Sequence, residues 1–405
     1  MTATTRTATT GRTAGTATGR TAAPAAAIPG DPAPAGPALP EARGPLSAGV
    51  LAALADGGPG ARDGEARGAR ARARPLPDPG ALAARAATAD PYGEDLHLAL
   101  YVLYELHYRG FAHVPEEREW DPGLLRVRRA LEDRFLAALR RDVPGGRTVA
   151  EVFGELLAEP VEPTAGEGGV AHHLQHHGER WQLREYAALR SLYHLKEADP
   201  HAWVIPRLTG RAKAAMVAVE YDEFGAGRAE DVHARLFAGL MRDLDLETAY
   251  GRYLDAAPAP ALAVVNLMSL FGLHRSLRGA LVGHFACVEV TSSPGSRRLA
   301  AAMRRLEAGA AAERFYDEHV EADAVHEQVV RREVVGGLLE SEPALEAQIA
   351  FGADATVHLE DRLGAELLAA WRAGASALRT PLQPAPAPET AASAAESPDA
   401  DPAGA

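Results

Sequence analysis

The chain has 405 residues, a formal net charge of −13 and a single cysteine. A negative charge of this size argues against nonspecific binding of nucleic acid by the folded part, and one cysteine excludes an intramolecular disulfide. The first residues lack the apolar run of a secretory signal, and the chain has no stretch of about 20 apolar residues that would cross a membrane. We therefore expect a cytoplasmic protein with no nucleic-acid or membrane partner.

Composition divides the chain into three parts. Residues 1–80 are mostly Ala, Thr, Pro, Gly and Arg, with too few large apolar side chains to offset the entropy of ordering, so they are predicted to be a disordered arm. Residues 379–405 have the same character and are predicted to be a disordered tail. The folded part then comprises residues 81–378.

Apolar residues recur every three or four positions along the folded part, the pattern of amphipathic helices. The predicted helices are 94–111, 124–140, 148–157, 181–196, 211–244 with a break at Gly225 and Gly227, 261–273, 277–290, 297–306, 311–332 and 343–378. A second break is expected at 293–295, which contains Pro294. No sustained alternation of apolar and polar residues appears, so the predicted fold class is all-α.

Two sets of polar residues outside the main motifs invite a functional interpretation. His97, Glu105 and His107 fall in the apolar helix 94–111 but do not share a helical face, so we expect satisfied core or boundary residues. A cluster of four histidines follows at 172–177, and helical spacing brings together those that are four positions apart. The alternatives for this cluster are adventitious metal binding, a pH-sensitive role and a real metal site. Its members are His172, His173, His176 and His177.

The most informative pattern lies in the helix 311–332. His319, Asp323 and His326 stand at positions i, i+4 and i+7, within roughly 60° of one another around a helix that turns about 100° per residue. Two imidazoles and a carboxylate suit iron, manganese or zinc. The alternative is a solvated polar face.

Two further features support a metal site. Glu289 lies 30 residues before His319 in a predicted helix of apolar residues, where an unpaired carboxylate would cost several kcal/mol. Glu223 and His233 form an E-x9-H pair across the Gly break. With the three residues of the helix 311–332, this makes three imidazoles and three carboxylates, enough for two metal ions with open coordination positions.

The order E-x9-H, a separate Glu and H-x3-D-x2-H resembles the haem-oxygenase-like diiron oxidases and oxygenases, a family of iron-containing redox enzymes. The resemblance covers about residues 181–374. It implies a metal-binding helical domain at 181–378 and leaves residues 81–180 as an additional helical region of unknown role (dimer contact, lid or second domain). It implies a haem-oxygenase-like seven-helix bundle, two iron ions that cycle between Fe(II) and Fe(III), and O2 as co-substrate for the oxidation of a small organic substrate. The implied metal ligands, with no catalytic residue beyond them, are Glu223, His233, Glu289, His319, Asp323 and His326.

The resemblance extends to residues of less definite role. Some members of the family add a carboxylate from the helix before the first motif, and Glu197 stands at that position; the alternative is a surface charge at a helix end. Tyr221, Tyr316 and His284 are candidates to surround the ligands, His284 with a core histidine as the safer interpretation. Asp222 is expected to be a surface charge. An electron donor and a homodimer are left open.

Three other interpretations are weighed against an oxidase. A haem oxygenase on the same scaffold would need a proximal histidine and no set of buried carboxylates. A thiaminase-like enzyme would need a nucleophilic cysteine, for which Cys287 is the only candidate. The third is a non-enzymatic helical module for interaction or metal handling, in which the polar residues are solvated or the histidine cluster binds the metal.

Overall fold

The computed structural model describes residues 36–55, 78–158 and 168–382, apart from the side chains of residues 323 and 324. Throughout these ranges the regular secondary structure is helical, which confirms the all-α class. None of the helices described is long and apolar enough to span a membrane. Most of the predicted disordered arm (1–35 and 56–77) and residues 383–405 of the tail lie outside the described residues.

Within the described ranges, turns, loops and 3-10 segments connect consecutive helices. In chain order they are α1 (Pro45–Ala55), α2 (Pro79–Thr88), α3 (Glu94–Glu105), α4 (Pro122–Asp142), α5 (Val149–Ala158), α6 (Val170–His176), α7 (Arg180–His194), α8 (Asp199–Ala202), α9 (Gly210–Glu223), α10 (His233–Asp243), α11 (Ala259–Leu273), α12 (Arg278–Arg305), α13 (Ala310–Val329), α14 (Gly336–Ser341) and α15 (Glu346–Arg372). A π-helical turn, Val330–Val335, joins α13 to α14.

The bundle is built around α12, which packs against α13 and α15. At its crossing with α15 the two backbones come unusually close. A Cβ atom on Gly283 would lie 1.9 Å from the carbonyl oxygen of Ile349, and one on Gly352 would lie 2.0 Å from that of Ala280. Only glycine allows this approach. The contact fixes the position of α12, the helix that carries Glu289.

Residues 81–180 share the hydrophobic core of the rest of the chain. Helix α3 packs against α11, α6 against α12, and α5 against both α12 and α15. The predicted capping box of α5 is present, since Thr148 Oγ1 accepts from the Glu151 backbone N–H while Glu151 Oε2 accepts from that of Thr148. This region therefore builds one side of the bundle.

Two sequence predictions about helix boundaries are wrong. The segment Pro45–Ala55, assigned to the disordered arm, is helix α1, with Leu46, Val50 and Leu54 buried; the composition of the whole arm hid its short apolar pattern. The break at 293–295 is absent, because α12 continues through Pro294. Proline removes one backbone hydrogen bond from a helix, and packing against α13 and α15 offsets that loss.

Of the three polar residues predicted to be satisfied core or boundary groups, Glu105 and His107 have side-chain partners, whereas the buried His97 Nε2 has none among the described residues. Glu105, fully buried, accepts from Lys196 Nζ at 2.9 Å and from the Tyr250 hydroxyl at 2.7 Å. Asn266 Nδ2 donates to the carbonyl oxygen of His97 at 2.9 Å. His107 Nδ1 lies 2.9 Å from a Glu119 carboxylate oxygen. These contacts join α3 to α7 and α11.

We expect Lys196→Ala to destabilise the protein by about 3 kcal/mol, because it leaves the buried Glu105 carboxylate without its counter-charge. Denaturant unfolding measures the change. The matched control is Arg129→Ala, which removes an ion pair to Asp133 whose side chains are more than half exposed, and should change stability by less than about 0.5 kcal/mol. Equal losses in the two variants would contradict this account of the core.

Candidate metal centre

Five helical segments bring six donor side chains into the interior of the bundle. Glu223 is the last residue of α9 and His233 the first of α10, so the Gly-containing turn between them folds the E-x9-H pair back on itself. Glu197 follows α7, and Glu289 lies in α12. The two histidines of α13 complete the set. All six side chains are buried: Glu197, Glu223, His233, Glu289, His319 and His326.

The donors form two groups of three. One nitrogen or oxygen from each of Glu197, His233 and His319 lies within 4.8 Å of the others, and the same holds for Glu223, Glu289 and His326. Donor atoms bound at about 2.1 Å to one metal ion lie roughly 3 to 4 Å apart, so small movements would close each group around an ion. Among the described residues, the histidine cluster at 172–177 forms no such group.

The two groups are adjacent and connected by Glu223. Its Oε2 lies 2.8 Å from His233 Nδ1 in the first group, and its Oε1 lies 3.5 Å from His326 Nδ1 in the second. The imidazole rings of His233 and His319 have centroids 4.5 Å apart. One carboxylate thus contacts both groups, the position from which it could bridge two ions.

The imidazoles are oriented by partners outside the two groups. His319 Nδ1–H donates to the carbonyl oxygen of Phe315 at 2.7 Å, which turns Nε2 toward Glu197 at 3.6 Å. His326 Nε2–H donates to Asp222 at 3.3 Å and turns Nδ1 toward Glu223. Such outer hydrogen bonds fix the tautomer of a metal-binding histidine.

The electrostatics fit a site built for cations. Burial acts to raise the pKa of Glu197, but the His194 and His319 imidazoles hold it well below its ordinary value. Burial likewise opposes the charged form of His326, but Glu289 and Glu223 raise its pKa to about 9. Protons on the imidazoles thus offset the negative charge of the carboxylates, and a bound metal ion would displace these protons. The donor set, which mixes imidazole and carboxylate, fits iron.

The remaining predicted residues have different outcomes. Residue 323 lies in α13, but its side chain is outside the described part of the structure, so its ligand role stays a prediction. Tyr316 is buried in the cavity wall beside His319. The structure does not bring Tyr221 to the site: it is 55% exposed and donates to the carbonyl oxygen of Ala226. His284 contacts Thr356 and His201 rather than a member of the two groups.

Sequence reasoning missed three residues beside the donors. Asp222 is an exposed charge, as expected, but it also accepts from His326. His194 Nδ1 lies 2.8 Å from Glu197 Oε1. Glu220 is buried one helical turn before Glu223. His194 and Glu220 each lie three residues from a proposed donor, a spacing that places two side chains on one helical face and could have identified them.

Glu220 gives the metal-free protein a specific pH dependence. Burial, with the charges of Glu223 and Glu289, raises the pKa of Glu220 to about 9. Between pH 4.5, the ordinary pKa of this carboxyl group, and pH 9, Glu220 is protonated in the folded state but ionised in the unfolded state. The stability of the folded state therefore falls as pH rises through this window.

We therefore expect Glu220→Gln, which cannot ionise, to raise the melting temperature of the metal-free protein at pH 8 and to flatten its decline between pH 5 and 9. Thermal unfolding over this range measures both. The matched control is Glu230→Gln, at an exposed position between α9 and α10, which should follow the wild-type curve. A Glu220→Gln curve parallel to wild type would contradict the assignment of this proton.

The donor groups open into a cavity of about 750 Å³ between α7, α12, α13 and α15. Its walls combine apolar side chains with three tyrosines and a paired Arg190 and Glu360, joined by two hydrogen bonds of 2.7 Å. Cys287 lies in the wall, and His172 lines the cavity beside residues 168–171. The volume suits one small organic molecule.

Comparison with known proteins agrees with this site. Residues 184–361 match the sequence profile of a family described as iron-containing redox enzymes, and the matched segment contains all six buried donors. A search of the curated proteins finds no match to the chain. The match confirms the resemblance inferred from the three motifs: residues 184–361 are similar to the family of iron-containing redox enzymes.

Proposed function

We propose that the protein is a non-haem diiron oxidase or oxygenase that uses O2 to oxidise a small organic substrate. The observation that carries the proposal is the pair of buried three-donor groups, connected by Glu223 and open to one cavity. Two iron ions, when bound, would supply the electrons that activate O2. The residues that would hold them are Glu197, His233 and His319 for one ion and Glu223, Glu289 and His326 for the other, while Asp323 stays a predicted further ligand.

The protein's own residues would orient the metal ligands and hold the substrate beside them. The hydrogen bonds from His319 to Phe315 and from His326 to Asp222 orient the imidazoles before any ion arrives. Carboxylates suit this chemistry because they are hard, anionic ligands. The cavity wall would hold the substrate beside the donors, where its apolar side chains would exclude water from the reacting atoms once the substrate is bound.

Glu220 is a protonated carboxylic acid beside this site. Its raised pKa keeps the carboxylic acid neutral at physiological pH in the metal-free protein. A buried acid three residues from Glu223 can release this proton as positive charge enters the site and take it back when the charge leaves. The chain thus contains an internal proton store near its second donor group.

The experiment is to load the protein with Fe(II) under anaerobic conditions, measure bound iron, and record visible absorbance after adding O2. We expect about two ions per chain and an O2-dependent absorbance, both lost in the double variant His319→Ala/His326→Ala. The matched control, His172→Ala/His176→Ala, removes a histidine pair whose rings lie 4.6 Å apart and should retain both signals. Loss of bound iron in the control variant, rather than in the variant of His319 and His326, would favour metal handling by the histidine cluster.

A further inference from the structure

A chain of hydrogen bonds leads from the cavity into the crossing of α12 and α15 without using any of the six donors. The Tyr193 hydroxyl lies 3.4 Å from His201 Nδ1, and His201 Nε2 lies 3.2 Å from His284 Nε2. His284 Nδ1 lies 2.8 Å from the Thr356 hydroxyl, which donates to the carbonyl oxygen of Gly352 at 2.8 Å. Tyr193, His201 and Thr356 line the cavity wall.

The direction of this chain is fixed from its far end. The Thr356 hydroxyl donates its only hydrogen to the carbonyl oxygen of Gly352, so its oxygen accepts from His284 Nδ1–H. His284 Nε2 must then accept from His201 Nε2–H, which leaves His201 Nδ1 with a lone pair facing the Tyr193 hydroxyl. Burial lowers the pKa of His284 to about 4 and that of His201 well below its ordinary value. The Tyr193 phenol therefore donates to a neutral imidazole.

Tyr193 is also close to the first donor group. It precedes His194, whose Nδ1 contacts Glu197, and the rings of the two neighbours have centroids 5.2 Å apart. Burial and the negative charges of Glu197 and Glu223 raise the pKa of the Tyr193 phenol, so it keeps its proton at rest. A short path thus connects the phenol to a proposed iron ligand.

Among the residues that the structure describes, no imidazole is hydrogen-bonded to the other two tyrosines of the cavity wall. Tyr186 lies beneath the Arg190 guanidinium, at 5.2 Å from the ring centroid. The Tyr316 hydroxyl is buried and makes no hydrogen bond to the residues that the structure describes. Of these three phenols, Tyr193 alone is positioned to lose a proton and an electron together.

We propose that Tyr193 is a redox-active tyrosine of this centre, with His201 as its proton acceptor. This proposal rests on the proposed function for its oxidant: iron held by the two donor groups would, with O2, supply a one-electron oxidant for the Tyr193 ring. The O–H bond of the phenol breaks and an N–H bond forms at His201 Nδ1, which gives a neutral phenoxyl radical and an imidazolium. Return of one electron and this proton restores both residues.

The hydrogen-bonded chain makes this step feasible in a buried site. An oxidised phenol that kept its proton would be a buried cation without a partner, which is costly. Transfer to His201 places the positive charge on an imidazole that already donates to His284, so the chain stabilises it. The phenol and its base are held in contact without any movement of the backbone.

The first arm of the test needs no iron. The metal-free full-length protein is oxidised by a photogenerated one-electron oxidant and frozen for electron paramagnetic resonance. We expect a tyrosyl radical signal that Tyr193→Phe loses and Tyr316→Phe retains, with formation at least about tenfold slower in His201→Leu, since a positioned base contributes factors of this size or more. Should His201→Leu fail to fold, His284→Phe, which removes the acceptor of His201 Nε2–H, must also slow radical formation. An unchanged signal in Tyr193→Phe would overturn the proposal.

The second arm uses the iron-loaded protein and O2. We expect the same radical signal, absent in Tyr193→Phe although the O2-dependent absorbance still develops. Absorbance without a Tyr193 radical would overturn the redox role and leave the proposed function intact. No absorbance at all would refute the proposed function and the iron-driven step together, while the first arm would still decide whether Tyr193 and His201 act as a pair.

Discussion

Replacing Glu223 with alanine is expected to abolish stable iron binding at both donor groups. Glu223 is a donor of the second group and lies 2.8 Å from His233 of the first, so its loss opens both. O2-dependent oxidation should fall by more than about 100-fold, because removal of even an outer partner of a metal ligand costs 10- to 100-fold. Iron content and O2 consumption measure the two effects.

The control for this variant is Glu230→Ala, which removes an exposed carboxylate from the same turn between α9 and α10. It should bind iron and consume O2 at wild-type levels. Circular dichroism verifies that both variants are folded. If Glu223→Ala retained two ions per chain and its activity, Glu223 would not be a shared ligand and the two groups would not form one centre.

The largest expected effect on stability comes from Gly283→Ala. Its new Cβ atom would meet the carbonyl oxygen of Ile349 at 1.9 Å, and backbone atoms of a packed helix cannot move aside as a flexible side chain can. We expect a loss above about 4 kcal/mol, in the range of severe core disruptions. Denaturant unfolding, or failure to accumulate as soluble protein, records this loss.

Gly154→Ala is the matched control, because Gly154 also lies inside a helix, α5, and its new Cβ would meet nothing within 4 Å. This substitution should stabilise the protein by about 0.5 to 1 kcal/mol, the difference in helix propensity between the two residues. If Gly283→Ala were as mild as the control, α12 and α15 would not be held at the described distance and the frame of the site would need revision.

Much of the donor set could be predicted from the sequence because helices convert spacing into geometry. His319 and His326 share a face of α13 by periodicity alone, and Glu289 was conspicuous as a carboxylate among apolar residues. The division into two groups could not be predicted. It depends on how α7, α9, α10, α12 and α13 pack, and on the turn that returns His233 to Glu223.

The wrong and missed predictions have equally physical causes. Tyr221 is two residues from Glu223, which places it about 200° around the helix and on the exposed face. Proximity in sequence was therefore misleading, whereas Glu220, at three residues, shares the buried face. The chain through Tyr193, His201, His284 and Thr356 joins residues of α7, α8, α12 and α15 and has no signal in local spacing.

The central claim is that two metal ions bind side by side in the groups connected by Glu223. Anomalous diffraction from crystals soaked anaerobically with Fe(II) tests it most directly. The account predicts two iron peaks in each chain, one among Glu197, His233 and His319 and the other among Glu223, Glu289 and His326. Iron found only at the histidines of 172–177, or no iron within coordination distance of Glu223, would contradict it.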